Sequence, residues 1–245
     1  MTDSPRILSV LKQDGFGRVE LIECRGARVV RRVACGGPWP GSRIVAKLLL
    51  RREKKALLAL SGLASVPARI EDERLERCPS ADGLRPDPGV VLLRSWIEGT
   101  PLWQARELAS DFFDRLADLV RAVHDRGVCH NDLHKENNVL VDPAGRPALV
   151  DFQLASVHER RGRRFRRRCA EDLRHVAKHA RRYETEGADR GPMERSLGAA
   201  LWRRFVKPVY NFATRRLLRS RGEPRRPRGG PWPVRSGPLG PDPRR

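Results

Sequence analysis

Residues 130–151 read His-Asn-Asp-Leu-His-Lys-Glu-Asn-Asn-Val-Leu-Val-Asp-Pro-Ala-Gly-Arg-Pro-Ala-Leu-Val-Asp, and this stretch decides the fold. Two short apolar runs, 139–141 and 148–150, flank a segment at 142–146 that contains Pro and Gly. Pro and Gly in so short a link are typical of a tight turn, so the pattern predicts a β-hairpin.

A polar cluster should form at the open end of this hairpin. Asp151 leaves the second strand and therefore returns beside Asn137 and Asn138, which enter the first strand. Asp132 lies a few residues earlier, in a segment too short and too hydrophilic to be a core element. The predicted geometry gathers Asp132, Asn137 and Asp151, whose side-chain oxygens suit a hard divalent cation.

The spacing His130-x-Asp132-x-x-x-x-Asn137, followed by Asp-Phe-Gln at 151–153, resembles the catalytic loop and the metal-binding Asp-Phe-Gly of protein-kinase-like phosphotransferases. With Gln in place of Gly, the pattern is similar to the bacterial lipopolysaccharide (Kdo/heptose) kinases and the RIO-like serine/threonine kinases. The resemblance implies that Asp132 orients the acceptor hydroxyl and takes its proton, while Asn137 and Asp151 hold Mg²⁺ against the phosphates of ATP. The alternative is a polar loop before an ordinary hairpin, with carboxylates that only cap turns.

The resemblance also implies the fold class, an α+β fold of two lobes. Residues 1–94 would form a small β-rich N-lobe with one helix, and residues 95–220 a reduced, mainly helical C-lobe. The buried-type strand 90–93 runs into 94–99, which would be the hinge that meets the adenine edge. Pro, Gly and Arg dominate residues 221–245, which we expect to be a disordered basic tail.

The N-terminal region contains a weak match to the kinase glycine-rich loop. Alternation predicts strands at 7–11 and 19–24 around a turn at 14–17. The residues that resemble the second half of the loop, whose backbone N–H groups would cover phosphates, are Gly15, Phe16, Gly17 and Val19. Lys12 and Asp14 occupy the first two glycine positions of the motif, so a plain hairpin remains the alternative.

The third predicted strand, 28–33, lacks the lysine that the kinase pattern uses to bind phosphates. Arg31 and Arg32 are the cations on that strand, and alternation does not say which of them faces the cleft. Lys47, at the start of a predicted helix, is a further candidate. Arginine binds phosphate in a bidentate manner but is not equivalent to lysine, so altered nucleotide handling, low activity or a pseudokinase stays open.

Glu53 is predicted to pair with a strand cation. Helical spacing over 44–60 places it on the face of Leu49 and Leu57, where an unpaired carboxylate would be costly. This position matches the helix glutamate of the kinase pattern. The alternative is an exposed ion pair within 51–55, which would be worth little.

The C-terminal half is predicted to be helical. The spacing predicts helices at 102–124, with an apolar face from Phe112 onward, and at 171–183. Between them, 160–168 carries seven arginines, which the kinase resemblance places beside the acceptor. We expect an anionic acceptor there, either a phosphorylated lipid-linked glycan or a protein Ser/Thr substrate. The segment 201–210 is predicted to be a closing core helix or a basic helix on an anionic membrane.

Composition indicates which classes of binding partner and which cellular compartment the sequence favours. The chain has 245 residues, and 50 Lys and Arg against 30 Asp and Glu give a formal charge of +20, which favours anionic partners. The 5 cysteines are scattered, which predicts reduced structural thiols, not a disulfide framework or a zinc site, and hence a cytoplasmic protein. The histidines at 124, 130 and 134 are predicted to be structural. No apolar run is long enough to cross a membrane, although contact with its inner face is compatible with the sequence.

The leading prediction is therefore an ATP- and Mg²⁺-dependent kinase. The alternative is a non-catalytic pseudokinase that binds nucleic acid or acts as a scaffold. Nucleic acid is the less favoured partner because aromatic residues make up only 6% of the chain and no RNA-stacking motif interleaves with the basic runs.

Overall fold

The computed structural model describes residues 4–38, 40–105 and 107–184. The predictions for the segment 201–210 and for the tail 221–245 lie outside the described residues. Within them the chain mixes sheet and helix, which agrees with the expected α+β class at a coarse level.

The elements alternate along the chain. The strands are β1 Arg6–Asp14, β2 Gly17–Cys24, β3 Ala27–Val33, β4 Arg69–Ile70, β5 Val91–Ser95, β6 Thr100–Pro101, β7 Val128–Cys129, β8 Val139–Val141, β9 Pro147–Leu149 and β10 Ser156–Val157. The α-helices in the described chain are α1 Ser42–Ala59, α2 Glu73–Arg77, α3 Phe112–Asp125 and α4 Arg163–Glu184. Short 3₁₀ turns lie at Pro88–Val90, Leu102–Gln104, Glu136–Asn138 and Phe152–Leu154.

The largest sheet is antiparallel, in the order β1-β2-β3-β5-β4, and it separates two hydrophobic clusters. One face packs around Leu75 of α2, with Ile22 and Val29 beneath it. The other face meets α1, and that cluster continues into α3, the β8–β9 hairpin and Phe152. The larger core therefore joins the sheet to the segment that carries the predicted site.

A two-residue turn fixes the register of β2 against β3. Arg25 (φ 51°) and Gly26 (φ 77°) both have positive φ, as a type I′ hairpin turn requires. The resulting register pairs Glu20 with Arg31 and Val19 with Arg32. Directly opposed residues share a face, so Arg31 and Arg32 point to opposite sides of the sheet.

Helix α1 presents one buried stripe to the sheet. Ala46, Leu50 and Leu57 are buried together with Glu53, whereas the predicted stripe had Leu49 in place of Leu50. The difference is a small rotation of the helix about its axis. Lys47 is exposed to solvent on this helix, so it does not face the sheet.

The predicted helix 102–124 was wrong over its first ten residues. Leu102–Gln104 forms a 3₁₀ turn in which the Leu102 carbonyl accepts hydrogen bonds from Ala105 N and from the Tyr183 hydroxyl. The helical period of buried residues begins only at Phe112, and α3 begins there too. Helix α4 is longer than predicted, because it starts at Arg163 and includes most of the arginine run.

The predicted hairpin is confirmed. Strands β8 and β9 pair antiparallel, with Val139 opposite Leu149. One pair further towards the open end, Val150 N donates to Asn138 O over 3.0 Å. The next residue in the chain is Asp151, so the hairpin brings Asp151 beside Asn138. None of the described helices is long and apolar enough to cross a bilayer.

Candidate active site

Asp132 lies in the polar loop between β7 and β8, and it is 2% exposed. Its Oδ2 accepts a hydrogen bond from Asn138 Nδ2 (3.0 Å) and pairs with Lys135 Nζ (2.9 Å). Asn138 Nδ2 also donates to the Asp132 backbone carbonyl (3.0 Å). The second carboxylate oxygen, Oδ1, is buried and lies 3.2 Å from His134 Nδ1, although it accepts no hydrogen bond within the described chain. Asp132 thus has one oxygen fixed by hydrogen bonds and the other beside an imidazole.

Asp151 follows the hairpin in a left-handed backbone conformation (φ 65°, ψ 65°). This conformation is costly for a non-glycine residue, and such residues cluster at functional sites. Its Oδ1 is buried and has no hydrogen-bond partner among residues 4–184 that the structure describes. A buried oxygen of this kind is costly unless a ligand satisfies it.

Cations surround the Asp151 carboxylate. Burial alone would raise the pKa of Asp151, but the nearby positive charges outweigh burial and hold the pKa below its usual value. In order of influence, these cations are Lys12, Arg94, Arg32 and Lys135. The carboxylate is therefore ionised at neutral pH, and it has the charge that a divalent metal ligand needs.

A buried carboxylate on α4 fixes the backbone of the polar loop. Asp172 is 0% exposed and accepts hydrogen bonds from His130 N (2.8 Å) and Asn131 N (2.9 Å). It also contacts His124 Nε2 at 3.2 Å. Asn131 has positive φ (63°), so the loop is held in a conformation that it would not adopt freely.

His130 links the polar loop to the segment around Asp151. Its Nε2 lies 3.0 Å from the carbonyl of Val150, the residue before Asp151. Its ring packs on Phe152 with centroids 4.6 Å apart. One imidazole therefore positions the peptide on each side of Asp151.

Glu53 of α1 pairs with two arginines of the sheet. Glu53 is 0% exposed; its Oε2 lies 3.0 Å from Arg32 Nη1 and its Oε1 lies 3.3 Å from Arg94 Nη1. Glu53 therefore does not form the exposed ion pair within residues 51–55 that was the alternative prediction. A buried carboxylate between two guanidinium groups leaves net positive charge on the face of the sheet that looks towards Asp151.

Arg31 lies on the opposite face and is unavailable to that site. It is 0% exposed, and its Nε and Nη2 donate to Glu20 Oε2 over 2.9 and 2.8 Å. Its remaining N–H groups reach the carbonyls of Leu75, Cys78 and Pro79. All of its donors are used within the N-terminal sheet and its cover, so Arg31 stabilises the fold instead of facing the cleft.

The β1–β2 turn is stabilised by hydrogen bonds from its backbone to one of its own side chains. Asp14 Oδ1 accepts from Phe16 N (2.8 Å) and Gly17 N (3.1 Å), so two of the predicted phosphate-covering N–H groups are already bonded. A Cβ on Gly17 would lie 2.2 Å from the Val33 carbonyl oxygen. Glycine is therefore needed there for close packing of strands. Gly15 and Val19 lie in and after this turn, and Val19 shares the face of Arg32.

A cavity of about 680 Å³ lies between the large sheet and the hairpin. Its walls come from β1, β3, the end of β5 and the β8–β9 hairpin, and they include Lys12, Val30, Arg94, Trp96, Leu140 and Val150. Trp96 has a buried indole N–H that finds no acceptor in the described chain. The predicted hinge, 94–99, forms one wall, and the volume suits a nucleotide-sized ligand.

The structure separates the two neighbouring asparagines. Asn138 is 3% exposed and bonds Asp132, whereas Asn137 is half-buried and lines the cavity. The hairpin register already pairs Asn138 with Val150, the residue before Asp151. The sequence prediction placed the metal ligand at Asn137, and that assignment stays a prediction; Asn138 is the residue that contacts Asp132 and Val150, which precedes Asp151.

The arginine run forms the first part of α4 and its solvent face. Arg163, Arg164, Arg166 and Arg167 are exposed, while Phe165 is buried. Arg168 turns inward and donates to Asn131 Oδ1 (3.1 Å) and Ser156 Oγ (3.0 Å). The basic face is thus attached directly to the loop that carries Asp132.

Comparison with known proteins gives a distant, partial relation. No protein-family model matches the chain. A protein of Encephalitozoon cuniculi named "Probable serine/threonine-protein kinase CHK1 homolog" is 34% identical over 123 residues, 47% of this chain and 29% of that protein. A protein of Streptomyces coelicolor named "Probable SapB synthase" is 32% identical over 152 residues, 57% of this chain and 16% of that protein. The chain spans less than a third of either relative, so the similarity relates it to a kinase only at a coarse level.

Proposed function

We propose that the chain is an ATP- and Mg²⁺-dependent phosphotransferase with a two-lobed, protein-kinase-like arrangement, residues 1–94 and 95–220 forming the lobes. The observation that carries the proposal is Asp151. It is an ionised carboxylate in a strained backbone conformation, with one buried oxygen that the described chain leaves unbonded, and the residue before it lines a cavity whose walls include the cations Lys12 and Arg94. Distant similarity to a protein named as a serine/threonine kinase supports the same class.

The donor set fits Mg²⁺. Asp151 Oδ1 and the side-chain carbonyl of Asn138 are oxygen ligands of the kind that Mg²⁺ accepts in phosphate-handling sites. When bound, the ion would neutralise negative charge on the phosphates. We assign Asn138 this ligand role, in preference to Asn137, because its amide nitrogen bonds Asp132 and its backbone carbonyl accepts from Val150, the residue before Asp151.

Asp132 is the group that would act on the acceptor. Its Oδ2 is fixed by Asn138 and Lys135, so the proton of an acceptor hydroxyl would go to Oδ1, which lies 3.2 Å from His134 Nδ1. Asp132 would orient that hydroxyl towards the phosphoryl group. Catalysis of this kind relies mainly on positioning and on electrostatic stabilisation of the transferred group.

The cations on the cavity side would hold the phosphates. Arg32 takes the place of the strand lysine, and Glu53 orients it as the helix glutamate does in the kinase pattern. Arg94 and Lys12 line the cavity and add positive charge on the same side. The nucleobase would lie against Trp96 in the hinge wall.

We propose an anionic acceptor, either a phosphorylated lipid-linked glycan or Ser/Thr of a protein. The exposed arginines of α4 begin next to the loop of Asp132 and would attract negative charge to its hydroxyl-binding side. A cytoplasmic enzyme working at the inner face of a membrane, or near other anionic surfaces, would fit this charge.

A second candidate is a non-catalytic pseudokinase that binds nucleic acid or acts as a scaffold. Two features of the nucleotide side favour it: Arg32 replaces lysine, and Asp14 occupies the N–H groups of Phe16 and Gly17. Mg²⁺-dependent release or transfer of the ATP γ-phosphate separates the two functions. Turnover that EDTA abolishes supports the enzyme, and its absence with every acceptor fraction, lipid or protein, supports the pseudokinase.

The neighbouring asparagines provide a matched pair of variants. Asn138→Ala should raise the Mg²⁺ concentration needed for half-maximal turnover by about 10- to 100-fold, because it removes a ligand and a contact that orients Asp132. Asn137→Ala should leave that concentration nearly unchanged. Titrating Mg²⁺ at saturating ATP measures both. The opposite order of effects would return the ligand role to Asn137.

Substitution of Arg32 tests which strand cation binds phosphate. Arg32→Met should raise the KM for ATP about 10- to 100-fold, since hydrogen bonds to charged groups contribute about 1.5–3 kcal/mol. Arg94 would still compensate Glu53, so the fold should persist. Arg32→Lys should recover most of the affinity.

The control for this series is Arg28→Met, an exposed arginine on the same strand. Initial rates at varied ATP give KM for each variant. An unchanged KM in Arg32→Met would show that Arg32 only neutralises Glu53.

A further inference from the structure

Three metal-ligating side chains meet behind the polar loop, outside the site described above. Cys129 of β7, Cys169 of α4 and His124 at the end of α3 each offer a ligand atom, and these atoms all lie within 4.8 Å of one another. Cys129 is 0% exposed and His124 is 7% exposed, while Cys169 is half-buried. The cluster therefore connects three elements at their packing interface.

The spacing of the sulfurs matches that of a tetrahedral zinc site. The Cys129 and Cys169 Sγ atoms are 3.7 Å apart. Zinc–thiolate bonds of about 2.3 Å at tetrahedral angles place two sulfur ligands roughly 3.8 Å apart. The two sulfurs thus have the separation that a shared zinc ion requires, without movement of the backbone.

The histidine has the outer partner that metal-bound imidazoles usually have. His124 Nε2 lies 3.2 Å from Asp172 Oδ2, and a ligating histidine characteristically gives its other nitrogen to a carboxylate. Such a contact fixes the orientation of the ring. Arg168, one residue before Cys169, adds a positive charge that acts on Cys129 and helps to balance the two thiolates.

We propose that Cys129, Cys169 and His124 form a structural Zn²⁺ site, with water as the fourth ligand on the half-exposed side of Cys169. Two thiolates and an imidazole are a donor set that selects zinc among the common divalent ions. Binding converts both thiols to thiolates and releases their two protons to solvent. This site is separate from the proposed phosphotransfer chemistry and does not depend on it.

The ion would join α3, β7 and α4 immediately before the loop of Asp132. Cys129 precedes His130 in the chain, and Asp172 holds both His124 and the backbone of that loop. A disulfide between the two cysteines is the competing chemistry.

Metal analysis of the full-length, tag-free chain tests the proposal. The protein is purified from zinc-supplemented medium and freed of loose ions by gel filtration. We expect about one zinc per chain, as a single site requires. Cys169→Ser should lose it, and Cys35→Ser, an exposed cysteine outside the cluster, should keep it. Circular dichroism shows whether each variant folds.

Three results would overturn the zinc site. They are a wild-type chain without stoichiometric zinc after reconstitution, a Cys169→Ser variant that retains its zinc, and a mass spectrum that shows a Cys129–Cys169 disulfide. Should Cys169→Ser fail to fold, cobalt substitution of the wild type decides. Thiolate-to-cobalt charge-transfer absorption supports the site, and a spectrum of cobalt with oxygen ligands alone rejects it.

Discussion

Asp151→Asn should lower the rate of phosphate transfer from ATP about 10³-fold, since a bound metal contributes several kcal/mol to charge stabilisation and each 1.4 kcal/mol is tenfold in rate. The amide keeps the volume of the side chain but removes the charge that would hold Mg²⁺. It also leaves the surrounding cations without their counter-charge. No described hydrogen bond depends on Asp151 Oδ1, so the fold should survive the substitution.

The measurement is kcat at saturating ATP and Mg²⁺, together with the thermal unfolding midpoint. Asp118→Asn is the matched control, because it makes the same chemical change on the exposed face of α3, where the ion pair with Arg121 contributes little. Full activity in Asp151→Asn, or equal losses in the two variants, would remove the basis of the proposed mechanism.

Asp172→Asn should have the largest effect on stability, about 2–4 kcal/mol in the free energy of unfolding, because buried hydrogen bonds to charged groups contribute about 1.5–3 kcal/mol each. Both carboxylate oxygens accept backbone N–H groups, from His130 and Asn131. An amide can accept through only one of its two ends, so one buried N–H would face an NH₂ group. The loop of Asp132 would lose its fixed position, and activity should fall with stability.

Urea unfolding measures the first effect, and the control is Glu171→Gln. Glu171 is the adjacent residue, is exposed, and pairs with Arg174 and His175 on the same helix. Its replacement should shift the midpoint little. If the midpoint of Asp172→Asn also stayed at the wild-type value, Asp172 would not be the anchor of the loop.

The hairpin and the burial of Glu53 could be predicted because each follows from a local pattern. Pro and Gly between two apolar runs specify a turn, and helical spacing places Glu53 among apolar residues. The sequence also contained the information needed to choose between Arg31 and Arg32 as the cation that faces the cleft. The Arg25-Gly26 turn sets the register that puts Glu20 opposite Arg31, so an acidic partner on the other face was already encoded.

Other parts of the site depend on contacts between distant segments. Asp172 lies at helical spacing with Val176 and His179, the same signal that identified Glu53, but the groups that it binds are backbone N–H groups 41 and 42 residues away. Sequence periodicity identifies apolar stripes on helices. It does not identify a helix face whose buried residues are polar and hydrogen-bonded to another segment of the chain.

At the start of α3, the sequence pattern predicted helix where the structure has none. Leu102 and Trp103 supply apolar residues that extend the helical pattern backwards, but each has another role, Leu102 in the core and Trp103 in the cavity wall. Tertiary contacts therefore override the periodicity before Phe112. The choice between Asn137 and Asn138 as the metal ligand was ambiguous because the two residues are adjacent and identical. They differ only in their position in the strand register.

Only five residues, 158–162, join β10 to α4, and they are tied down by His158 N to the Gly127 carbonyl and by Arg161 to the Asp125 carbonyl. A connection this short cannot undergo the order–disorder transition by which covalent modification controls many signalling enzymes. A phosphotransferase built in this way would be constitutively assembled. Under the proposed function, its output would follow the supply of nucleotide and acceptor, without a rearrangement of residues 158–162.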